Sequence, residues 1–160
     1  VRTERVNIEA MLKNILQEAE MLSAGKHSFT LQIDGPDMNG SADELRSAFN
    51  NLVSNAIRYT PAGGKIDLLW QHTAAGPQLQ VRDTGIGFSP EHISRLTERF
   101  YRVDKSRSRE TQGTGLGLAI VKHVLLRHGG TLGIDSQLGK GSTFTARLPT
   151  TVVVDEKIGN

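Results

Sequence analysis

Apolar residues recur at Ile8, Met11, Leu12, Ile15, Leu16, Ala19 and Leu22, in steps of three and four, which predicts a helix with one buried face over 8–22. Phe29, Leu31 and Ile33 then alternate with polar residues, so a strand follows, and Asp34-Gly35-Pro36-Asp37 breaks it. The clearest helical periodicity lies in 43–59, where Leu45, Ala48, Phe49, Leu52, Val53, Ala56 and Ile57 share a face. Ser41 is its expected N-cap, with Glu44 completing a capping box, and Thr60-Pro61-Ala62-Gly63-Gly64 ends it. Ile66, Leu68 and Trp70 read as one strand, Leu79 and Val81 as the next, with a hairpin-like connection at 74–77.

From Gly85 to Gly115 the pattern weakens. A short helix is expected from Pro90 to about Arg99, and 104–113 holds almost no apolar residue, as in a functional lid or a disordered loop. Leu116, Ala119, Ile120, Val124 and Leu125 restore a helix over 115–128, stopped by Gly129-Gly130. Leu132 and Ile134, then Phe144, Ala146 and Leu148, make two last strands about a turn at 139–141. Three long helices and about five strands, grouped and not strictly alternating, predict an α+β fold. Its form is a two-layer sandwich, a mixed sheet covered on one face by helices. Residues 1–150 are expected to form one domain and 151–160 a frayed tail.

Composition narrows the classes. The chain has 160 residues, enough for one core without staples, and no cysteine, which excludes disulfides and thiolate metal sites. No stretch is apolar enough to span a membrane, and a net charge of +2 argues against a general nucleic-acid binder. The chain begins without Met and without a signal peptide, so it is expected to be a piece of a longer protein. Arg99, Arg102, Lys105, Arg107 and Arg109 crowd one polar stretch, which suits either an anionic ligand or a solvated loop.

Four constellations carry candidate chemistry. On helix 43–59, Glu44, Ser47, Asn51, Asn55 and Arg58 form a polar stripe opposite the apolar one. Asn is a poor helix former. Its carboxamide can offer oxygen to a hard cation and nitrogen to phosphate. Two solvated Asn are the plainer alternative. Asp83-Thr84-Gly85-Ile86-Gly87 follows a strand; a carboxylate there can accept a purine amine while Gly85 and Gly87 let backbone approach the base, or the glycines serve a turn. Gly113-Thr114-Gly115-Leu116-Gly117-Leu118 opens a helix, where exposed N–H groups and the helix dipole favour phosphate, and a lid hinge is compatible. Phe100-Tyr101-Arg102 sets a cation beside the basic loop, with the aromatics available for packing.

Other motifs fail. A dinucleotide fingerprint needs glycine where Leu118 stands, and Lys140 is followed by Gly141 where a phosphate-binding P-loop needs Ser or Thr. His123 and His128 do not share a helical face, and no ligand cluster has zinc spacing.

In this order the pieces resemble the catalytic and ATP-binding domain of sensor histidine kinases, in the superfamily shared with gyrase, Hsp90 and MutL. Asp43 to Tyr59 looks like the N box, 83–87 and 113–118 like two glycine boxes, Phe100-Tyr101-Arg102 like the F box, and Gly139-Lys140-Gly141-Ser142-Thr143-Phe144 like a third glycine motif. The resemblance covers roughly residues 5–149 and implies a Bergerat-type ATP-binding fold. It implies that Asp83 accepts from the adenine amino group, with a water and Thr145 nearby, and that Tyr59 stacks near the base. Asn51 and Asn55 would hold Mg²⁺ and phosphates, Arg58 and Arg102 would contact phosphates, and Gly113 to Leu118 would wrap them.

The implied reaction moves the γ-phosphoryl group of ATP to a histidine. The family's acceptor histidine precedes an acidic residue, whereas His27, His72, His92, His123 and His128 precede Ser, Thr, Ile, Val and Gly. The acceptor and dimerisation domain is therefore expected upstream of Val1, in a homodimeric, inner-membrane parent that carries this domain in the cytoplasm and acts on a response regulator. The chain alone is expected to be a monomer that binds nucleotide and autophosphorylates little. A non-catalytic nucleotide-sensing module and a gyrase- or MutL-type ATPase remain alternatives. The latter usually needs an acid on the N-box helix, and Glu44 lies seven residues before Asn51.

Overall fold

A computed structural model describes residues 3–99 and 117–154. In chain order the elements are β1 (Glu4–Val6), α1 (Ile8–Ser23), β2 (Ser28–Asp34), β3 (Met38–Gly40), α2 (Ala42–Tyr59), β4 (Lys65–Thr73), β5 (Gly76–Asp83), α3 (Pro90–Ile93), α4 (Gly117–Arg127), β6 (Thr131–Gln137) and β7 (Gly141–Arg147), with a 3₁₀ turn at Thr150–Val152. Five strands form one mixed sheet in the order β2-β4-β5-β7-β6, where only β2 and β4 are parallel. The α+β sandwich predicted from periodicity is the fold observed.

The core lies between the helices and one sheet face. Leu12 and Ile15 of α1, Phe49 and Leu52 of α2 and Val121 and Leu125 of α4 are fully buried. Beneath them are Ile66, Leu68 and Trp70 of β4, Leu79 and Val81 of β5 and Phe144 and Ala146 of β7. This follows from period-two alternation, which sends every second side chain to the same face. Among the described residues no helix is long and apolar enough to cross a membrane.

Helix ends are set by local chemistry. Asn7 caps α1 by accepting from the Ala10 N–H at 3.0 Å. At the end of α2, Thr60 is extended (φ −113°, ψ 115°) because Pro61 follows and disfavours helical backbone before it. The end of α4 is a Schellman arrangement: Gly130 N–H donates to Leu125 O at 2.7 Å and Gly129 N–H to Leu126 O at 3.1 Å, with Gly129 at φ +79°.

Four expectations are corrected. Ser41 accepts from the Glu44 N–H at 3.3 Å, but the Glu44 carboxylate does not close a capping box. It makes a two-pronged ion pair with Arg127 on α4, at 2.8 and 3.1 Å, and this bond holds its carboxyl below the ordinary value. The Ser41 N–H donates instead to His128 Nε2 at 3.0 Å. Second, helix 90–99 shrinks to Pro90–Ile93, followed by turns to residue 99, because only Ile93 and Leu96 of this stretch reach the core. Third, the described residues form seven strands and not about five, because the short β1 and β3 pair with each other in a ribbon too short for any periodicity to announce. Fourth, 151–154 are held: Val152 is buried, Val153 bridges to Met38, and the Val154 N–H donates to Asp37 O at 3.3 Å. Residues 155–160 lie outside the described residues.

His128 joins the end of α4 to the start of α2. Its Nδ1 lies 2.8 Å from Val124 O, so Nδ1 carries the proton and Nε2 accepts from Ser41. Replacing His128 by Ala leaves the part-buried Ser41 N–H without its partner. Denaturant titration is expected to show a loss of about 1–3 kcal/mol.

Candidate nucleotide site

The site is built along α2. Asn51, Asn55 and Tyr59 are spaced by four and so lie on one side of the helix, spanning about 12 Å along its axis. Asn51 is half-buried. Its Nδ2 donates to Ser47 O at 2.8 Å, leaving Oδ1 turned toward the start of α4, where a Cβ on Gly117 would come within 3.1 Å. Asn55 is only 6% exposed, which removes the plain reading of a solvated carboxamide at that position. Tyr59 packs edge-on against Phe88, ring centroids 5.0 Å apart, and the Arg58 guanidinium carbon sits 5.8 Å from the Tyr59 centroid.

Beyond Tyr59 the chain meets the end of β5. Asp83 stands on the core face of the sheet, in line with Leu79 and Val81, and is 5% exposed. Burial pushes its carboxyl above the ordinary value, against hydrogen bonds from the Gly85 and Ser142 backbones. The Gly85 N–H donates to Asp83 Oδ1 at 2.8 Å, and the Ile86 N–H donates to Tyr59 O at 3.0 Å. Gly85 cannot carry a side chain here: a Cβ would lie 2.2 Å from Tyr59 O and 2.8 Å from Asp83 Oδ1. Gly87 has a different reason. It adopts φ +67° and abuts the Gln137 carbonyl, so the turn itself requires glycine.

Two predicted residues fall elsewhere. Thr145 pairs with Gln80 and Gly133, one position out of phase with Phe144 and Ala146, so it lies on the opposite sheet face from Asp83. The residue opposite Asp83 is Ser142, 4% exposed, which the sequence reading missed. The signal was available: Ser142 precedes the buried Phe144 by two in an alternating strand. Leu118 is buried in the core and supports α4 from inside. Gly117 is at the described start of α4 beside Asn51, whereas Arg102, Gly113, Thr114, Gly115 and Leu116 lie outside the described residues. A separate cavity of about 570 Å³, lined by Thr97, Arg99, Ile120 and Lys122 among others, contains none of the predicted residues but Arg99 of the basic cluster.

Residues 40–152 match the family described as histidine kinase-, DNA gyrase B- and HSP90-like ATPases. The chain belongs to this ATPase family. It is 52% identical over 152 residues to the phosphate regulon sensor protein PhoR of Pseudomonas aeruginosa, covering 94% of this chain and 34% of that protein. The chain thus spans about a third of the length of the curated relatives it matches, PhoR of Haemophilus influenzae included. Among solved structures it resembles the mycobacterial sensor histidine kinase MprB, with TM-score 0.81 and 27% identity over 92% of this chain and 97% of that one. It also resembles full-length ShkA in complex with AMPPNP, with TM-score 0.79 and 27% identity over 97% of this chain and 32% of that one.

In this ATPase domain the donor set suits magnesium. Among the described residues no three His, Cys, Asp or Glu gather as a metal cage. Mg²⁺ seldom uses one: it keeps waters and takes a few protein oxygens together with substrate phosphates. The Asn51 carboxamide oxygen, turned toward the start of α4, and the buried Asn55 carboxamide are protein groups that could supply such oxygens.

Proposed function

We propose that this domain holds Mg-ATP along α2 and presents its γ-phosphoryl group to a histidine of a separate dimerisation and acceptor domain. The observation that carries the reading is the continuous line from Asp83 and Gly85 through Tyr59 to Asn55, Asn51 and Gly117. It sets an acceptor-only group at one end and carboxamides beside a helix start at the other.

In this reading Asp83 accepts from the adenine amino group. Tyr59, fixed by Phe88, flanks the base. Asn51 and Asn55 orient the phosphates, and Gly117, with no side chain, lets the start of α4 come close to them. Magnesium, when bound, supplies charge neutralisation at the phosphates. Phosphoryl transfer needs positioning and electrostatic stabilisation more than covalent help, which is what this wall of donors and dipoles can give. Arg58 and Arg102 are the cations assigned to the phosphates. The similarity to PhoR supports a role in phosphate-starvation signalling. The parent would be a homodimeric sensor in the inner membrane, with this domain on its cytoplasmic side and a response regulator as its target.

Radiolabelled ATP and a separately expressed acceptor domain test the assignment. Label on the acceptor histidine, with little on this chain alone, is the expected result. Nucleotide binding without transfer would replace the reading by a sensing module. Phosphate release to water without an acceptor would replace it by a gyrase-type ATPase, for which Glu44, held by Arg127, is poorly placed.

A further inference from the structure

Among the described residues, one buried side-chain polar atom has no hydrogen-bond partner, the hydroxyl oxygen of Thr60. Thr60 is 4% exposed. An unpaired buried hydroxyl is a cost that valine, of the same shape, would avoid. Its surroundings are specific. Thr60 Oγ1 lies 2.9 Å from the point that a Cβ on Gly85 would occupy, and Asp83 Oδ1 and Tyr59 O lie 2.8 and 2.2 Å from that same point. Three oxygens thus converge beside Gly85. Tyr59 O accepts from the Ile86 N–H, and Asp83 Oδ1 accepts from the Gly85 N–H. Of the three, the hydroxyl alone is able to donate.

The rest of Thr60 is engaged. Its N–H donates to Ile57 O at 3.4 Å, its carbonyl accepts from His27 Nε2, and its methyl faces Gly64, where a Cβ would come within 2.3 Å. A β-branched side chain with its methyl so placed has little freedom to turn the hydroxyl elsewhere. Ser142 is equally buried but is not a competitor, because its Oγ pairs with Ser136 Oγ at 2.7 Å.

We propose that Thr60 is a specificity residue of the purine site. Its hydroxyl donates, directly or through one buried water, to the ring nitrogen adjacent to the amino group that Asp83 accepts. This rests on the reading of Asp83 as the purine acceptor. Adenine offers a donor beside an acceptor on that edge, matching a carboxylate beside a hydroxyl. Guanine offers the reverse order. A site built around buried polar partners rejects the ligand that leaves them unpaired.

The test is calorimetry with Mg-ADP and with its 1-deaza analogue, in which that ring nitrogen is a C–H, on wild type, Thr60→Val, Thr60→Ser and Asp83→Asn. Thr60→Val is expected to melt no lower than wild type and to bind Mg-ADP roughly tenfold more weakly, the scale of one lost hydrogen bond. It should bind the 1-deaza analogue as wild type does, and Thr60→Ser should keep its affinity for Mg-ADP. Wild-type affinity in Thr60→Val, or an equal loss for both nucleotides, overturns the inference. If Asp83→Asn is weakened while Thr60→Val is not, the inference fails and the purine reading stands. If neither variant is weakened, both fall.

Discussion

Replacing Asp83 by Asn is expected to lower the affinity for Mg-ATP on the order of 10- to 150-fold while leaving the domain folded, because one charged hydrogen bond is worth about 1.5–3 kcal/mol. The carboxylate is acceptor-only, and its Oδ1 is already committed to Gly85, so the carboxamide would turn an NH₂ donor toward the donor it must meet. The same change should not destabilise the unliganded protein at neutral pH. Burial raises the Asp83 carboxyl above its ordinary value, so folding favours the protonated acid. That contribution is fully present below the unfolded value and is lost as pH rises through the folded one. Asn carries no such burden, so any stability advantage of the variant at neutral pH should shrink as the solution is acidified. Denaturant titrations at several pH values, beside calorimetry with Mg-ATP, check both halves. Unchanged affinity would remove Asp83 from the site.

The largest effect on stability is expected from Trp70→Ala. Trp70 is fully buried on β4, between Ile33 and Leu79 in register. Its ring lies 6.1 Å from Phe49 of α2, and its Nε1–H donates to Pro36 O at 2.9 Å. It therefore couples the sheet, the helix that bears the carboxamides and the turn before β3. Loss of a large buried aromatic costs about 3–5 kcal/mol, from a total of about 5–15 for a domain. Unfolding followed by circular dichroism measures it, since the chain has one Trp and the variant has none to report. Trp70→Phe keeps most of the buried area and should lose less, with nucleotide affinity intact, because Trp70 lies opposite Leu79, four residues along β5 from Asp83. A midpoint unmoved in Trp70→Ala would mean that the core is not organised as described.

Periodicity made most of this fold legible. The apolar faces of 8–22 and 43–59 and the alternation at 66–70, 79–81 and 144–148 carry the core, and they obey simple spacing because burial enforces it. What it did not announce depends on contacts between distant residues. Glu44 turned from its own helix cap to Arg127 because a cation eighty-three residues away offered two hydrogen bonds, and His128 took the N–H thereby left free. The β1–β3 ribbon and the held segment 151–154 depend on each other in the same way. That Asn51, Asn55 and Tyr59 share one side of α2 was readable from their steps of four, and the tight turn at Gly85 beside Asp83 from the glycine two residues on. Thr145 was misplaced by ignoring strand phase, which assigns Ser142 to the face of Asp83. Thr60 was read as a helix stop and no more. Its orphaned hydroxyl is visible only once Gly85 is folded against it.

Amide chemical-shift mapping during titration with Mg-ADP tests the central claim most directly. The account predicts saturable shifts that join Asp83 and Gly85 to Asn51, Asn55 and Gly117 in one patch, and leave the opposite sheet face, at Gln80 and Thr145, nearly still. A folded sample with no shifts, or with shifts centred on that opposite face, would contradict it.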